Sequence, residues 1–82
     1  MHESAWPQQF EAVLRAHVPS LAGDVLIEPE VSLADLGLDS MATVALLVGI
    51  EEAFSIMIPD EYLGPDTFAT PMSLWAVVGQ AR

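Results

Sequence analysis

Ser40 is the residue whose position best suits it to chemistry. It closes the segment Leu-Gly-Leu-Asp-Ser over residues 36–40 and directly precedes the longest apolar run, residues 41–50. A helix is predicted to begin here, and the N–H groups at a helix start lack intrahelical partners and carry partial positive charge. A phosphodiester on the Ser40 hydroxyl would therefore be stabilised. From position alone, the alternative that Ser40 is only a helix N-cap stays open.

Other kinds of chemistry find little support in the sequence. A serine nucleophile needs a base, and His2 and His17 lie in or before the first predicted helix, in no motif that would place them beside Ser40. The chain has no Lys and no Cys, which excludes Schiff-base, Walker-A and thiolate chemistry and lysine-linked cofactors. We expect no metal site, because the two histidines are far apart and no calcium-loop spacing occurs. The sequence predicts a protein that is not an enzyme.

The first half of the chain is predicted to form a helix followed by a long loop. Apolar residues at spacings of three and four predict a helix over Ser4–Val18, with Ser4 as N-cap and Pro7 in the first turn. Its predicted inner face consists of Trp6, Phe10, Val13, Leu14 and Val18. Residues 20–39 lack a helical period, so we expect a long loop with one helical turn over residues 31–36. Gly37 lets this loop turn closely before the next helix.

The rest of the chain predicts two further helices and a short turn. The second helix should span Ser40–Phe54, and its predicted core stripe is Val44, Leu47, Ile50 and Phe54, with Leu46 beside it. Residues 60–63 predict one helical turn. Thr70 as N-cap and Pro71 at the first helical position predict the start of the last helix. The expected fold is an all-α bundle of three main helices and one short turn, in a single domain over residues 1–82.

Composition limits the partners that the chain can have. Twelve Asp and Glu stand against two Arg, giving a net charge of −10. Nucleic acids and anionic membrane surfaces need clustered basic residues, so neither is expected as a partner. Proteins with basic patches are favoured instead. No signal peptide or membrane-spanning segment is recognised, and we expect a cytoplasmic monomer.

Three segments together resemble the acyl carrier protein family, which includes the peptidyl carriers. They are Leu-Ala-Asp-Leu-Gly-Leu-Asp-Ser-Met over 33–41, Ile-Glu-Glu-Ala-Phe over 50–54 and Ile-Pro-Asp-Glu over 58–61. The resemblance covers nearly the whole chain. It implies that a phosphopantetheinyl transferase moves 4′-phosphopantetheine from coenzyme A to Ser40, and that Asp39 supports this transfer. The thiol of the arm would then hold acyl, aminoacyl or polyketide groups as thioesters.

The chain departs from fatty-acid carriers along the second helix. Those carriers usually have acidic residues where this chain has Ala42, Ala45 and Val48, and leucine is commoner at the position of Met41. Met41, Ala45 and Val48 would form a mild apolar stripe leading away from Ser40, and an exposed stripe of this kind often marks a partner surface. The alternative is that the stripe belongs to the core. Glu51 and Glu52, which remain acidic, are also predicted to contact partners.

These observations favour a freestanding carrier protein of polyketide or nonribosomal peptide biosynthesis, that is, of secondary metabolism. The chain begins with Met and contains a single carrier unit. Its expected partners are the transferase, an acyl- or aminoacyl-loading enzyme and downstream synthase or tailoring enzymes. Two alternatives stay open: a small acidic helical interaction module without covalent cargo, and a serine hydrolase, which the lack of a suitably placed base disfavours.

Overall fold

The computed structural model describes residues 6–23 and 25–81, and the regular secondary structure within them is all helical. Its α-helices are α1 (Gln8–His17), α2 (Ser40–Phe54) and α3 (Pro71–Ala81), and its 3-10 turns are Pro19–Leu21 and Asp60–Tyr62. This part of the chain contains no β-strand. The all-α class, the long connection before α2 and the short turn at residue 60 are therefore confirmed. No helix in the described ranges is long and apolar enough to cross a membrane.

Helix α1 is shorter than predicted. Pro7 is its N-cap, with extended backbone at φ −67° and ψ 157°, so the helix begins at Gln8. The prediction that Pro7 lies inside the first turn is wrong, because its extended ψ places it before the helix. Its carbonyl instead accepts the N–H groups of Phe10 and Glu11. The predicted N-cap, Ser4, lies outside the described residues.

The long connection between α1 and α2 is pinned to the start of α3. Its first part forms the 3-10 turn Pro19–Leu21, where an irregular loop was predicted. Further along, the N–H of Leu33 donates to the carbonyl of Ala69 at 3.0 Å, and the N–H of Met72 donates to the carbonyl of Pro29 at 2.9 Å. The Leu33 side chain is fully buried. This connection is thus held in place directly before the chain reaches Ser40.

Helix α3 starts as its sequence predicts. Thr70 Oγ1 accepts the N–H of Ser73 at 3.0 Å, and Ser73 Oγ accepts the N–H of Thr70 at 3.1 Å, which is the reciprocal geometry of a capping box. The preceding segment contains Thr67, the one buried polar residue of the described chain. Its hydroxyl accepts the N–H of Gly64 at 2.7 Å. The hydroxyls of Thr67, Thr70 and Ser73 together brace the chain from residue 64 into α3.

The core is built around the ring of Phe10. Ring centroids lie 5.6 Å from Phe10 to Trp6 and 5.0 Å from Phe10 to Trp75, and Phe54 extends the cluster at 5.9 Å from Trp75. Both tryptophans are thus core anchors, as predicted. The remaining buried apolar side chains are Leu14, Val18, Leu21, Ile27, Leu33, Leu46, Ile50, Ile58, Leu74 and Val78.

The core face of α2 is rotated from the predicted one. Leu46 and Ile50, which are one helical turn apart, are fully buried, whereas Val44 is 62% exposed. The prediction that Val44 belongs to the core stripe is therefore wrong. Leu47 and Phe54 are half-buried and pack against the core. Val44 lies two residues before Leu46, so the two side chains point to roughly opposite sides of the helix. Since Leu46 faces the core, Val44 faces outward.

Gly49 sets how closely α1 approaches α2. A Cβ atom at this position would lie 2.8 Å from His17 Nε2 and 3.2 Å from Val13 Cγ1. Near the other end of α1, the Gln9 side-chain amide donates to the carbonyl of Ala53. The two helices are therefore antiparallel and closely packed, and this contact leaves the opposite side of α2 uncovered by α1.

Candidate functional site

Asp39, and not Ser40, is the N-cap of α2. One carboxylate oxygen of Asp39 accepts the N–H of Ala42 at 2.8 Å. The Asp39 carbonyl accepts both the N–H and the hydroxyl of Thr43, at 2.8 Å and 2.7 Å. Ser40 is therefore the first helical residue. The alternative that Ser40 serves only as a helix cap is wrong, because Asp39 already performs that task.

The Ser40 side chain is exposed at the mouth of α2. Among the described residues, nothing accepts from or donates to its hydroxyl. The loop before it is shaped by Gly37, whose φ of +100° is a left-handed conformation that favours glycine. The N–H groups of Leu36 and Leu38 both donate to the Leu33 carbonyl at 3.1 Å. The hydroxyl is thus presented to solvent from a loop whose backbone is internally bonded and attached to α3.

The surroundings of Ser40 Oγ suit a phosphodiester. The N–H groups of Ser40 and Met41 belong to the first turn, which has no intrahelical acceptors for them. They lie at the positive end of a helix of 15 residues, which stabilises negative charge. Ser40 can therefore bear a phosphate group, and the backbone of the first turn can support it.

The predicted stripe on α2 lies on the outside of the bundle. Met41 is 84% exposed, Val48 is 46% exposed and Ala45 is also exposed. The alternative that this stripe belongs to the core is therefore wrong. Val44, which the sequence placed in the core, adds to the same exposed side. We call Met41, Val44, Ala45 and Val48 the α2 ridge; its role in partner binding stays a prediction.

The two glutamates at the end of α2 have different surroundings. Glu52 is exposed, as a partner-binding residue must be. Glu51 is half-buried, and its carboxylate accepts the N–H of Ile58 at 2.9 Å. The sequence offered no signal for this hydrogen bond, because it joins residues across the bend that follows α2. Glu51 has a structural contact, and its predicted contact with a partner stays a prediction.

No described histidine is placed to act as a base for Ser40. His17 packs over Gly49, which lies nine helical steps from Ser40, about 14 Å at roughly 1.5 Å per step. The other predicted candidate, His2, lies outside the described residues. Within residues 6–23 and 25–81 no group of His, Cys, Asp or Glu could hold a metal ion.

An exposed serine at a capped helix start, in a small all-α bundle, is the arrangement of a carrier-protein domain. Comparison with known protein families agrees: the family model described as "Phosphopantetheine attachment site" matches residues 12–75. Since this match spans more than half of the chain, the protein belongs to that family. Its cofactor is covalently attached 4′-phosphopantetheine, which supplies a thiol on a long flexible arm.

Two curated relatives are aminoacyl carrier proteins. The chain is 48% identical over 44 residues to the aminoacyl carrier protein of Agrobacterium fabrum, covering 54% of this chain and 53% of that protein. It is 37% identical over 59 residues to aminoacyl carrier protein 1 of Bradyrhizobium diazoefficiens, covering 72% of this chain and 63% of that one. The matched part thus spans just over half to under two thirds of the length of these relatives.

Solved carrier-protein structures share the fold. One similar chain comes from an engineered Bradyrhizobium japonicum glycine:[carrier protein] ligase complexed with a carrier protein from Agrobacterium tumefaciens and AMP. The TM-score is 0.76 at 32% identity, covering 88% of this chain and 96% of the other. A second comes from the Bradyrhizobium japonicum ligase complexed with its cognate carrier protein and an analogue of glycyl adenylate. Its TM-score is 0.71 at 25% identity, covering 90% and 99% of the two chains.

Proposed function

We propose that Ser40 is the attachment residue for 4′-phosphopantetheine and that Asp39 supports the transfer. The observation that carries this proposal is the exposed, uncommitted Ser40 hydroxyl at the start of α2, inside the segment that matches the family. Ser40 Oγ would attack the pyrophosphate of coenzyme A, so that a phosphorus–oxygen bond to Ser40 forms and adenosine 3′,5′-bisphosphate leaves. The transferase would supply the base that accepts the hydroxyl proton, since no histidine among the described residues lies beside Ser40.

The proposed cargo is an amino acid held as a thioester and loaded by an ATP-dependent amino acid:carrier-protein ligase. This is supported by the names of the two curated relatives and by the carrier–ligase complexes among the similar structures. A downstream synthase or tailoring enzyme would then receive the amino acid. The proposed pathway is secondary metabolism of the polyketide or nonribosomal peptide type, because the apolar α2 ridge distinguishes this chain from fatty-acid carriers.

The proposed docking surface for these enzymes is the α2 ridge with Glu52 at its far end. Every partner must bring its active site within reach of an arm on Ser40, and the ridge is the exposed surface that begins next to it. The first three turns of α2 carry no charged residue. Docking would therefore depend on apolar contact near Ser40, with acidic residues at the margin steering basic partners.

Attachment is tested by mass. The apo protein is incubated with coenzyme A and a broad-specificity phosphopantetheinyl transferase, and intact mass is measured. We expect a gain of one phosphopantetheine in the parent and in Ser20→Ala, an exposed-serine control, and no gain in Ser40→Ala. If the parent gained nothing, the interaction-module alternative would be favoured. If Ser40→Ala were still modified, the attachment residue would be a different one. Reaction of Ser40 with a fluorophosphonate probe would favour the serine hydrolase alternative.

Cargo is tested on the modified protein. The holo protein is incubated with ATP, glycine and the Bradyrhizobium japonicum glycine:[carrier protein] ligase, and mass is measured before and after hydroxylamine treatment. We expect a gain of one glycyl group that hydroxylamine removes, as it does from thioesters. If the Agrobacterium carrier protein were loaded in parallel and this chain were not, glycine would be excluded as its cargo with this ligase.

A further inference from the structure

The sulfur atoms of this polypeptide belong to methionine alone. The chain has four methionines and no cysteine. Met41, Met57 and Met72 lie in the described ranges and are all exposed, at 84%, 82% and 38%, and Met1 lies outside those ranges. The buried core of the described residues therefore contains no sulfur. An oxidant that reacts with thioethers meets these three residues at the surface and leaves the core side chains unchanged.

Met41 differs from the other two methionines in its distance from Ser40. It is the next residue in the first turn of α2, displaced from Ser40 by about 1.5 Å along the helix axis. Met57 lies beyond the end of α2, and Phe54, the last residue of that helix, is already 14 helical steps from Ser40, about 21 Å. Met72 lies in the first turn of α3. Met41 and Met57 thus have nearly equal exposure at very different positions.

An enzyme that acts on the Ser40 hydroxyl must also displace water from the neighbouring Met41 side chain. Phosphoryl transfer takes place in a site that encloses the reacting oxygen and excludes bulk water. A thioether loses its water at little cost, because its sulfur is only a weak hydrogen-bond acceptor. Oxidation converts this apolar side chain into a polar sulfoxide, and burial of a polar group without a hydrogen-bond partner is unfavourable. A sulfoxide at residue 41 should therefore oppose phosphoryl transfer to Ser40.

We propose that Met41 is an oxidation-sensitive modification site whose sulfoxide slows the attachment of 4′-phosphopantetheine to Ser40. This inference rests on the proposed function of Ser40. The oxidant is a peroxide: the thioether sulfur attacks one peroxide oxygen, the oxygen–oxygen bond breaks and a sulfur–oxygen bond forms. With hydrogen peroxide the products are methionine sulfoxide and water, so the sulfur loses two electrons and the peroxide gains them. Because sulfoxide reductases reverse this change, the site gives reversible control over conversion of the apo protein to the holo protein.

The exposure of each methionine predicts which of them a peroxide reaches. At 84% and 82% exposed, Met41 and Met57 are both open to a small oxidant, and Met72 at 38% is partly covered. We therefore expect sulfoxides at both of the first two positions. Met57 is the internal control, because its sulfoxide has the same chemistry and nearly the same exposure but lies away from the Ser40 hydroxyl. Only the sulfoxide at Met41 should affect the transfer.

The test measures phosphopantetheine transfer to the full apo chain before and after oxidation. The parent, Met41→Leu and Met57→Leu are treated with hydrogen peroxide, catalase removes the excess, and peptide mass spectrometry locates the added oxygen. The kcat/KM of a broad-specificity phosphopantetheinyl transferase with coenzyme A is then compared with that of the unoxidised sample of the same variant. We expect at least a tenfold loss, equivalent to about 1.4 kcal/mol, in the parent and in Met57→Leu, and no loss in Met41→Leu. Oxidation of Met1 and Met72 is common to all three proteins.

Reduction of the oxidised protein gives a second readout. The two methionine sulfoxide reductases, one for each sulfoxide epimer, should restore the transfer rate of the oxidised parent, and circular dichroism should show unchanged helicity throughout. An oxidised parent that is modified at its unoxidised rate would overturn the proposal. So would an equal loss in Met41→Leu, a loss that reduction does not reverse, or a loss of helicity on oxidation. If the unoxidised parent received no phosphopantetheine, the proposed function of Ser40 would itself be wrong, and this site with it.

Discussion

Replacing Asp39 with alanine should loosen the start of α2 and slow the modification of Ser40. The Asp39 carboxylate accepts the Ala42 N–H at 2.8 Å, and loss of such a cap typically costs about 1 kcal/mol. For a domain of this size, that lowers the melting temperature by about 4–8 °C. Because Ser40 is the next residue, fraying of this turn also disperses the positions of its hydroxyl. The assay pairs thermal unfolding with the rate of phosphopantetheine transfer.

Asp39→Asn distinguishes the contribution of helix capping from the contribution of the negative charge. Asparagine caps about as well as aspartate, and the lost favourable charge at the positive end of α2 should cost only about 0.3 kcal/mol at an exposed position. We therefore expect Asn to retain most of the stability and most of the transfer rate. An unchanged melting temperature in Asp39→Ala would refute the role of the cap. If Asp39→Asn were stable but received phosphopantetheine as slowly as Asp39→Ala, the result would instead show that the transferase contacts the carboxylate directly.

Three further substitutions test the packing that supports the site, each by thermal and chemical unfolding. Gly49→Ala should lower the free energy of unfolding, because the cost of overpacking against His17, about 1–3 kcal/mol, exceeds the gain in helix propensity of about 1 kcal/mol. Adding His17→Ala to the same chain should recover the lost stability. A Gly49→Ala variant more stable than the parent would contradict this reasoning. Phe10→Ala should cost about 3–5 kcal/mol by emptying the centre of the aromatic cluster, and a small effect would mean that the cluster is not the main core. Gly37→Ala should cost about 1–2 kcal/mol because φ is +100° there, with unchanged stability arguing against that conformation.

The elements with local signals were predicted closely. Helix α2 has the predicted bounds, and α3 begins at Pro71 with Thr70 bonded to Ser73. Caps and proline positions act within a few residues, so their signals are present in the sequence itself. The start of α1 was misplaced for a related reason: a proline is tolerated both before and inside a first helical turn, and sequence alone does not choose between them.

The orientation of α2 could not be predicted in full. Residues 41–50 are apolar on nearly all sides, so no period distinguishes the face that meets the core. That choice was made by the packing of α1, whose residues Val13 and His17 lie over Gly49. The exposure of Met41, Ala45 and Val48 was foreseen, whereas Val44 was assigned to the wrong side. The hydrogen bond from Ile58 to Glu51 joins residues across a chain reversal and left no local signal.

By itself, the sequence determined the helical class, the junction at Asp39 and Ser40 and the family resemblance, because these depend on residue types and short spacings. Only the tertiary structure decided that Val44 joins the exposed ridge and that the Glu51 carboxylate accepts the Ile58 N–H across the chain reversal after α2. These outcomes depend on which surfaces of the helices and loops exclude water against one another, and that is a property of the assembled bundle.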